Sequence, residues 1–132
     1  MSESGFSIQM DVRDYECDIQ GIVNNAVYQN YFEHARHEFL KSHGINFADF
    51  SKKGINLVVV RIEIDYKTPL QSGDSFQVTA RMEQESRLKF VFLQDIIRLS
   101  DKKMTTRARV IGTALNPKGK PEIPQELNAI FD

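Results

Sequence analysis

The chain has 132 residues, room for one core and cramped for two, and 41% hydrophobic with 27% charged side chains excludes a disordered polymer. Its 17 basic and 18 acidic residues cancel, which excludes a global field for nucleic acid or an anionic membrane. A single cysteine, Cys17, excludes an internal disulfide, no apolar run nears the roughly 20 residues of a membrane span, and the start MSESGFSIQM lacks a secretory pattern, so the cytoplasm is the expected address.

Residues 7–12, SIQMDV, alternate and predict a half-buried first strand. A loop runs to Asn24. From there Val27, Tyr28, Tyr31, Phe32, Ala35 and Phe39 recur at helical spacing and predict one long helix ending before Gly44. Asn24 or Asn25 can cap its start, and Gly44 suits the left-handed position after its last turn. Residues 47–53 predict a short helical piece. Residues 57–66, 75–85, 88–99 and 104–115 are rich in β-branched and aromatic side chains and predict four more strands. Their separators PLQSGD, SR and SDKK are turn-like and short, which predicts antiparallel neighbours rather than crossovers. Residues 124–131 can hold a last helical turn.

The order β, long α, four β predicts an α+β domain spanning 1–132, a five-stranded antiparallel sheet wrapped around one central helix. Leu57 to Val60 are apolar towards both faces, and Val91, Leu93, Ile96 and Ile97 do the same on their strand. Part of the second face is therefore expected to be covered, most simply by another copy of the chain.

The stretch ECDIQGIVNNAVYQNYFEHAR sets one acid, Asp18, before a Gly-containing turn and the helix start. By itself Asp18 reads as a turn or cap acid, or as a carboxylate aimed at whatever the helix end touches. Asp18, Gly21, Val23, Asn24, Asn25, Tyr28, Tyr31, Phe32, Glu33, Ala35 and Arg36, with IDYKTPLQSGD at 64–74, resemble the signature of hotdog-fold acyl-CoA thioesterases, in the branch of 4-hydroxybenzoyl-CoA thioesterase and the YbgC-like enzymes. The resemblance covers nearly the whole chain in the same element order.

The resemblance implies a hotdog fold and an acyl-CoA thioesterase. Asp18 would be the catalytic carboxylate, acting as general base or nucleophile, and the helix beginning near Asn25 would offer a backbone N–H to the thioester oxygen. Some relatives carry His or Tyr where this chain has Asn25, which moves no proton near neutral pH, so the charge chemistry falls on Asp18. Tyr15 is a further candidate for a bond to substrate or Asp18. Gly21, Val23 and Asn24 would line the substrate site, and Tyr28, Tyr31, Val58, Val60 and Phe90 the acyl pocket. Arg61, Lys67, Arg87 and Lys89, with Lys118 and Lys120, are candidates for the phosphates of coenzyme A. The substrate would be a small, medium-chain or aromatic acyl-CoA, bound between subunits of a homodimer or homotetramer. Neither a metal nor a redox cofactor is implied.

Two rivals stand beside this reading. Hydratases on the same scaffold pair an Asp with a His five residues on, where this chain has Val23. A non-catalytic acyl-CoA sensor would keep the pocket and need no carboxylate. Cys17 lacks a nearby histidine to activate it and reads as an idle thiol. His34 and His37 lie opposite the apolar stripe and read as solvent-facing, and Glu33 with Arg36 as a surface or interface pair.

Overall fold

The apolar stripe after Asn24 forms α1 (Asn25–Ser42), which buries Tyr28, Tyr31, Phe32, Ala35, Phe39 and Leu40. Asn24 caps it, its side-chain oxygen accepting the Ala26 N–H at 3.0 Å, and Gly44 takes φ +81° just past the end. The computed structural model describes residues 5–131. Before α1 lie β1 (Phe6–Asp11) and a single 3-10 turn at Asp14–Glu16. After it come α2 (Phe47–Lys52), β2 (Asn56–Tyr66), β3 (Ser75–Gln84), β4 (Phe90–Arg98), β5 (Lys103–Leu115) and α3 (Gln125–Asn128). Each predicted element is present with its ends within a few residues.

All five strands form one antiparallel sheet in the order β1-β3-β4-β5-β2. α1 crosses its concave side over β1 and β3. Edge-on aromatic pairs seal the contact: Phe6 on Phe39 at 5.6 Å, Phe39 on Phe92 at 5.8 Å, with Tyr31 tilted on Phe76 at 4.7 Å. Gly112 makes space at the far end, because a Cβ there would stand 2.7 Å from the Phe90 ring.

The expected nearest-neighbour connections hold for β3 to β4 and β4 to β5. They fail for β2 to β3: β2 pairs with β5 at one edge, while β3 lies beside β1 near the other. Eight residues, 67–74, can reach about 27 Å and need only about 14 Å to pass three strand spacings, so brevity does not forbid the crossing. The segment runs over the sheet end beside the tip of α1.

β2 is a long open edge with Val59, Val60 and Ile62 exposed. A bulge between Val59 and Arg61 breaks its register. The expected Glu33 and Arg36 pair is not formed. Arg36 turns inward, 8% exposed, and donates to Oε1 of Gln94 at 3.2 Å, while Gln94 donates to the Phe32 carbonyl. Glu33 faces His37 across one turn at 4.0 Å instead. Among the described residues, no helix is long and apolar enough to cross a membrane and no cluster of side chains could hold a metal ion.

Candidate functional site

The loop before α1 is a small hairpin. The Asn24 N–H donates to the Glu16 carbonyl at 3.0 Å and the Asp18 N–H to the Ile22 carbonyl at 2.9 Å, with Cys17 bridged to Val23 between them. This is the narrow pair of an antiparallel ladder, in which facing Cα atoms stand about 4.5 Å apart. Gly21 turns the hairpin at φ +82°, a left-handed position that glycine enters without strain. One strand carries Asp18 and the other runs directly into the first turn of α1.

Asp18 is exposed, and its Oδ1 accepts the Gln20 N–H at 2.9 Å. The turn-acid reading is therefore correct for one oxygen. No partner is recorded for Oδ2 among the described residues. Asp18 does not cap the helix, since Asn24 does.

At the helix tip, Asn24 accepts two amides, Ala26 N–H through its side chain and Val27 N–H through its carbonyl. The Asn25 N–H has no recorded acceptor among the described residues. Among the described residues it is a free donor at the positive end of an 18-residue helix.

That tip borders a cleft of about 240 Å³ lined by Ile22, Val23, Asn25, Tyr28, Tyr66 and residues 67–69. Two phenols frame it. Tyr28, buried, accepts the Leu70 N–H at 3.0 Å, and Leu70 in turn accepts the Val23 N–H, so α1, the hairpin and the crossing segment are tied together. Tyr66 stacks edge-on against Tyr28 at 5.3 Å and donates to the Asn25 carbonyl at 3.3 Å. Burial pushes the Tyr28 phenol above its ordinary pKa, keeping it neutral.

Of the expected site residues, Val23, Asn25, Tyr28 and Lys67 line this cleft, with Gly21, Asn24 and Asp18 on its adjoining hairpin. Tyr15 is 79% exposed beside Arg13, with no bond to Asp18 recorded. Tyr31 is buried, its hydroxyl spent on Glu16. Phe90 lies in the core six residues up β4 from Ile96, about 20 Å from the tip along the strand. Val58, Val60 and Arg61 on β2, Arg87 and Lys89 at the β3–β4 turn, and Lys118 and Lys120 beyond β5 share that distant end. Within one chain they do not meet Asp18. Ile22, Tyr66, Thr68 and Pro69 are the lining residues that pattern reading passes over, Tyr66 and Ile22 most tellingly. Both look like ordinary strand or turn residues until the crossing segment folds across them.

Cys17 sits among Asp14, Glu16, Asp18 and Asp74. Desolvation and these acids raise its pKa, which leaves a protonated thiol and no nucleophile. A larger hollow, about 940 Å³, lies away from the tip around Phe6, Phe39, Leu93 and Arg107. Its Arg107 and Arg109 are already paired, with Asp95 and with Glu63 and Glu85. The Asn25 amide borders the smaller cleft, and Asp18 stands on the hairpin beside it.

A long helix held in a curved antiparallel sheet of this strand order is the hotdog fold. Residues 12–131 match the model of the thioesterase-like superfamily, and the chain belongs to that family. An acyl-acyl carrier protein thioesterase of Arabidopsis thaliana chloroplasts is 38% identical over 125 residues, which cover 94% of this chain and 66% of that protein. The chain thus spans just under two thirds of that relative. A hypothetical protein from Aquifex aeolicus superposes with a TM-score of 0.87 at 31% identity, covering 96% of this chain and 99% of that one. A 1,4-dihydroxy-2-naphthoyl-CoA thioesterase from Synechocystis gives a TM-score of 0.88 at 21% identity over 96% and 95% of the two chains, a likeness of fold alone.

Proposed function

We propose that the protein hydrolyses an acyl thioester to the free acid and a thiol, with Asp18 and the Asn25 amide acting on the same carbonyl. The observation that carries this is the free N–H of Asn25 at the tip of α1, opening on a cleft beside the hairpin that holds Asp18. The acyl carbonyl oxygen takes the Asn25 N–H, where charge developing on it gains from the helix dipole. Asp18 accepts a proton from water as that water bonds to the carbonyl carbon; the C–S bond then breaks and the thiolate leaves, to be protonated. Thiolate is a good leaving group, so one base and one oxyanion donor suffice. A nucleophilic Asp18 is the alternative, and solvent oxygen-18 entering its carboxylate in a single turnover distinguishes it.

The substrate is a small, medium-chain or aromatic acyl group on coenzyme A or on the phosphopantetheine of a carrier protein, the second source suggested by the plant relative. The working form is a homodimer or larger, for which the open β2 edge and the exposed Tyr15 and Ile19 on the Asp18 hairpin speak. Antiparallel docking of two β2 edges brings the start of a second chain's strand, with its Val58 and Val60, towards Tyr66 and Lys67. The far-end residues then join the site from the other subunit. Lys67 makes no ion pair in the described residues and is the nearest cation for a phosphate.

The test is thiol release from a panel of acyl-CoA and acyl-carrier thioesters, with Asp18→Asn in parallel. Turnover lost in the variant with ligand affinity retained supports the assignment. Tight binding without cleavage by the wild type supports the sensor instead.

A further inference from the structure

Two residues before Asp18, Glu16 is the most enclosed acid of the hairpin, its side chain only 10% exposed. Its Oε1 accepts the Tyr31 hydroxyl at 2.7 Å and the Arg13 N–H at 2.9 Å, and its Oε2 lies 3.3 Å from the Arg13 guanidinium. The Glu16 carbonyl accepts the Asn24 N–H at 3.0 Å. Glu16 therefore grips α1 at two heights: through its main chain at the cap, and through its side chain nearly two turns further on. Tyr31 is fixed in its turn, 1% exposed and tilted on Phe76 at 4.7 Å.

The helix tip carries the Asn25 amide, and the chain just past Glu16 carries the Asp18 carboxylate. The second strand of the hairpin is held by the crossing segment through Val23 and Gly21, and side-chain bonding of Glu16 to the core of α1 sets the height and tilt of the first strand, the one that carries Asp18, against the helix. A buried carboxylate costs several kcal/mol to desolvate unless its oxygens are bonded. Spending one on a loop is explained if the loop's position matters.

We propose that Glu16, held by the Tyr31 phenol, is a positioning residue that sets Asp18 in register with the Asn25 amide. The inference rests on the reading of Asp18 given above. Glu16 touches no substrate; it acts through the hairpin. A misplacement of about 1 Å can cost a hundredfold in rate without altering affinity, so the signature is a fall in kcat at constant KM.

Steady-state thiol release by Glu16→Gln, Glu16→Ala and Tyr31→Phe, beside Asp18→Asn, is the experiment. Glutamine keeps an oxygen for Tyr31 and Arg13, and its kcat is expected within about threefold of wild type. Alanine and Tyr31→Phe each lower kcat about tenfold or more, with KM within about twofold. Should Glu16→Ala not fold, Tyr31→Phe, which removes one oxygen from an intact core, gives the answer alone. Wild-type kcat in Tyr31→Phe and Glu16→Ala while Asp18→Asn is inactive overturns this inference and leaves the Asp18 reading intact. A drop of equal size in kcat/KM carried by KM, or by Gln as much as by Ala, also overturns it. Full activity of Asp18→Asn fells the functional reading itself.

Discussion

The hydroxyl of Tyr66, at the end of β2, donates to the carbonyl of Asn25, the first residue of α1, at 3.3 Å. The edge strand is thereby tied to the helix tip from the side opposite the hairpin. The Tyr66 ring walls the cleft. Tyr66→Phe loses one hydrogen bond worth about 1 kcal/mol and is expected to lower kcat about fivefold with the same order of acyl preference. Tyr66→Ala opens the wall and shifts kcat/KM towards bulkier acyl groups. An acyl panel with both variants is the check, and an unchanged preference in Tyr66→Ala places the acyl group elsewhere.

Asn24 sits at the junction of hairpin and helix. Its side chain accepts the Ala26 N–H at 3.0 Å. Asn24→Ala is expected to lose about 1 kcal/mol, a fall of a few degrees in Tm. Asn24→Asp keeps the acceptor and is expected to hold Tm at neutral pH. Thermal melts of the two variants decide whether the cap bond or the amide itself is needed.

Acid stability has one clear contributor at the β4–β5 turn. Two hydrogen bonds from the Arg98 guanidinium hold the Asp101 carboxyl down to about 2, from 3.8 when unfolded. A depressed carboxyl stabilises the fold above its unfolded pKa, and that stabilisation disappears as pH falls from about 4 towards 2. Asp101 is solvent-exposed, so the effect is small. The Tm difference between wild type and Asp101→Asn should be constant above about pH 5 and close to nothing near pH 2. A gap that persists into acid removes the carboxylate as its cause.

The β2 edge offers a test of assembly. Ile62 pairs with the buried Val110 of β5 and is still 36% exposed, on the same edge as the exposed Val59 and Val60. Ile62→Glu adds a charge that pairing would bury, and it is expected to shift the mass in light scattering towards the monomer and to lower activity with it. A variant that stays fully associated moves the interface off this edge.

Much of the fold is legible locally. The 28, 31, 32, 35, 39 spacing of α1 and the β-branched runs of β3 to β5 follow from side-chain chemistry a few residues apart. Strand order is not, because the eight residues 67–74 are long enough either to turn back or to cross, and only tertiary bonds such as Leu70 to Tyr28 and Lys67 to Thr105 choose the crossing. The site divides the same way. Asp18 and Asn25 stand out since a lone acid before a helix start is a local pattern. Tyr66 and Glu16 take their parts only through partners 41 and 15 residues away. Phe90, Arg87 and Lys89 are expected at the site from the resemblance and the tight turn beside them, yet within one chain they lie at the other end of the sheet.

The central claim is that one carboxylate and one helix-tip amide meet at one acyl carbon. A crystal structure of Asp18→Asn with an intact acyl thioester bound tests it most directly. The account predicts the thioester carbonyl oxygen about 2.7 to 3.1 Å from the Asn25 nitrogen, with the position-18 side chain within reach of the carbonyl carbon directly or through one water. A thioester lying beyond about 8 Å from either group contradicts it, since neither could assist bond cleavage at that range.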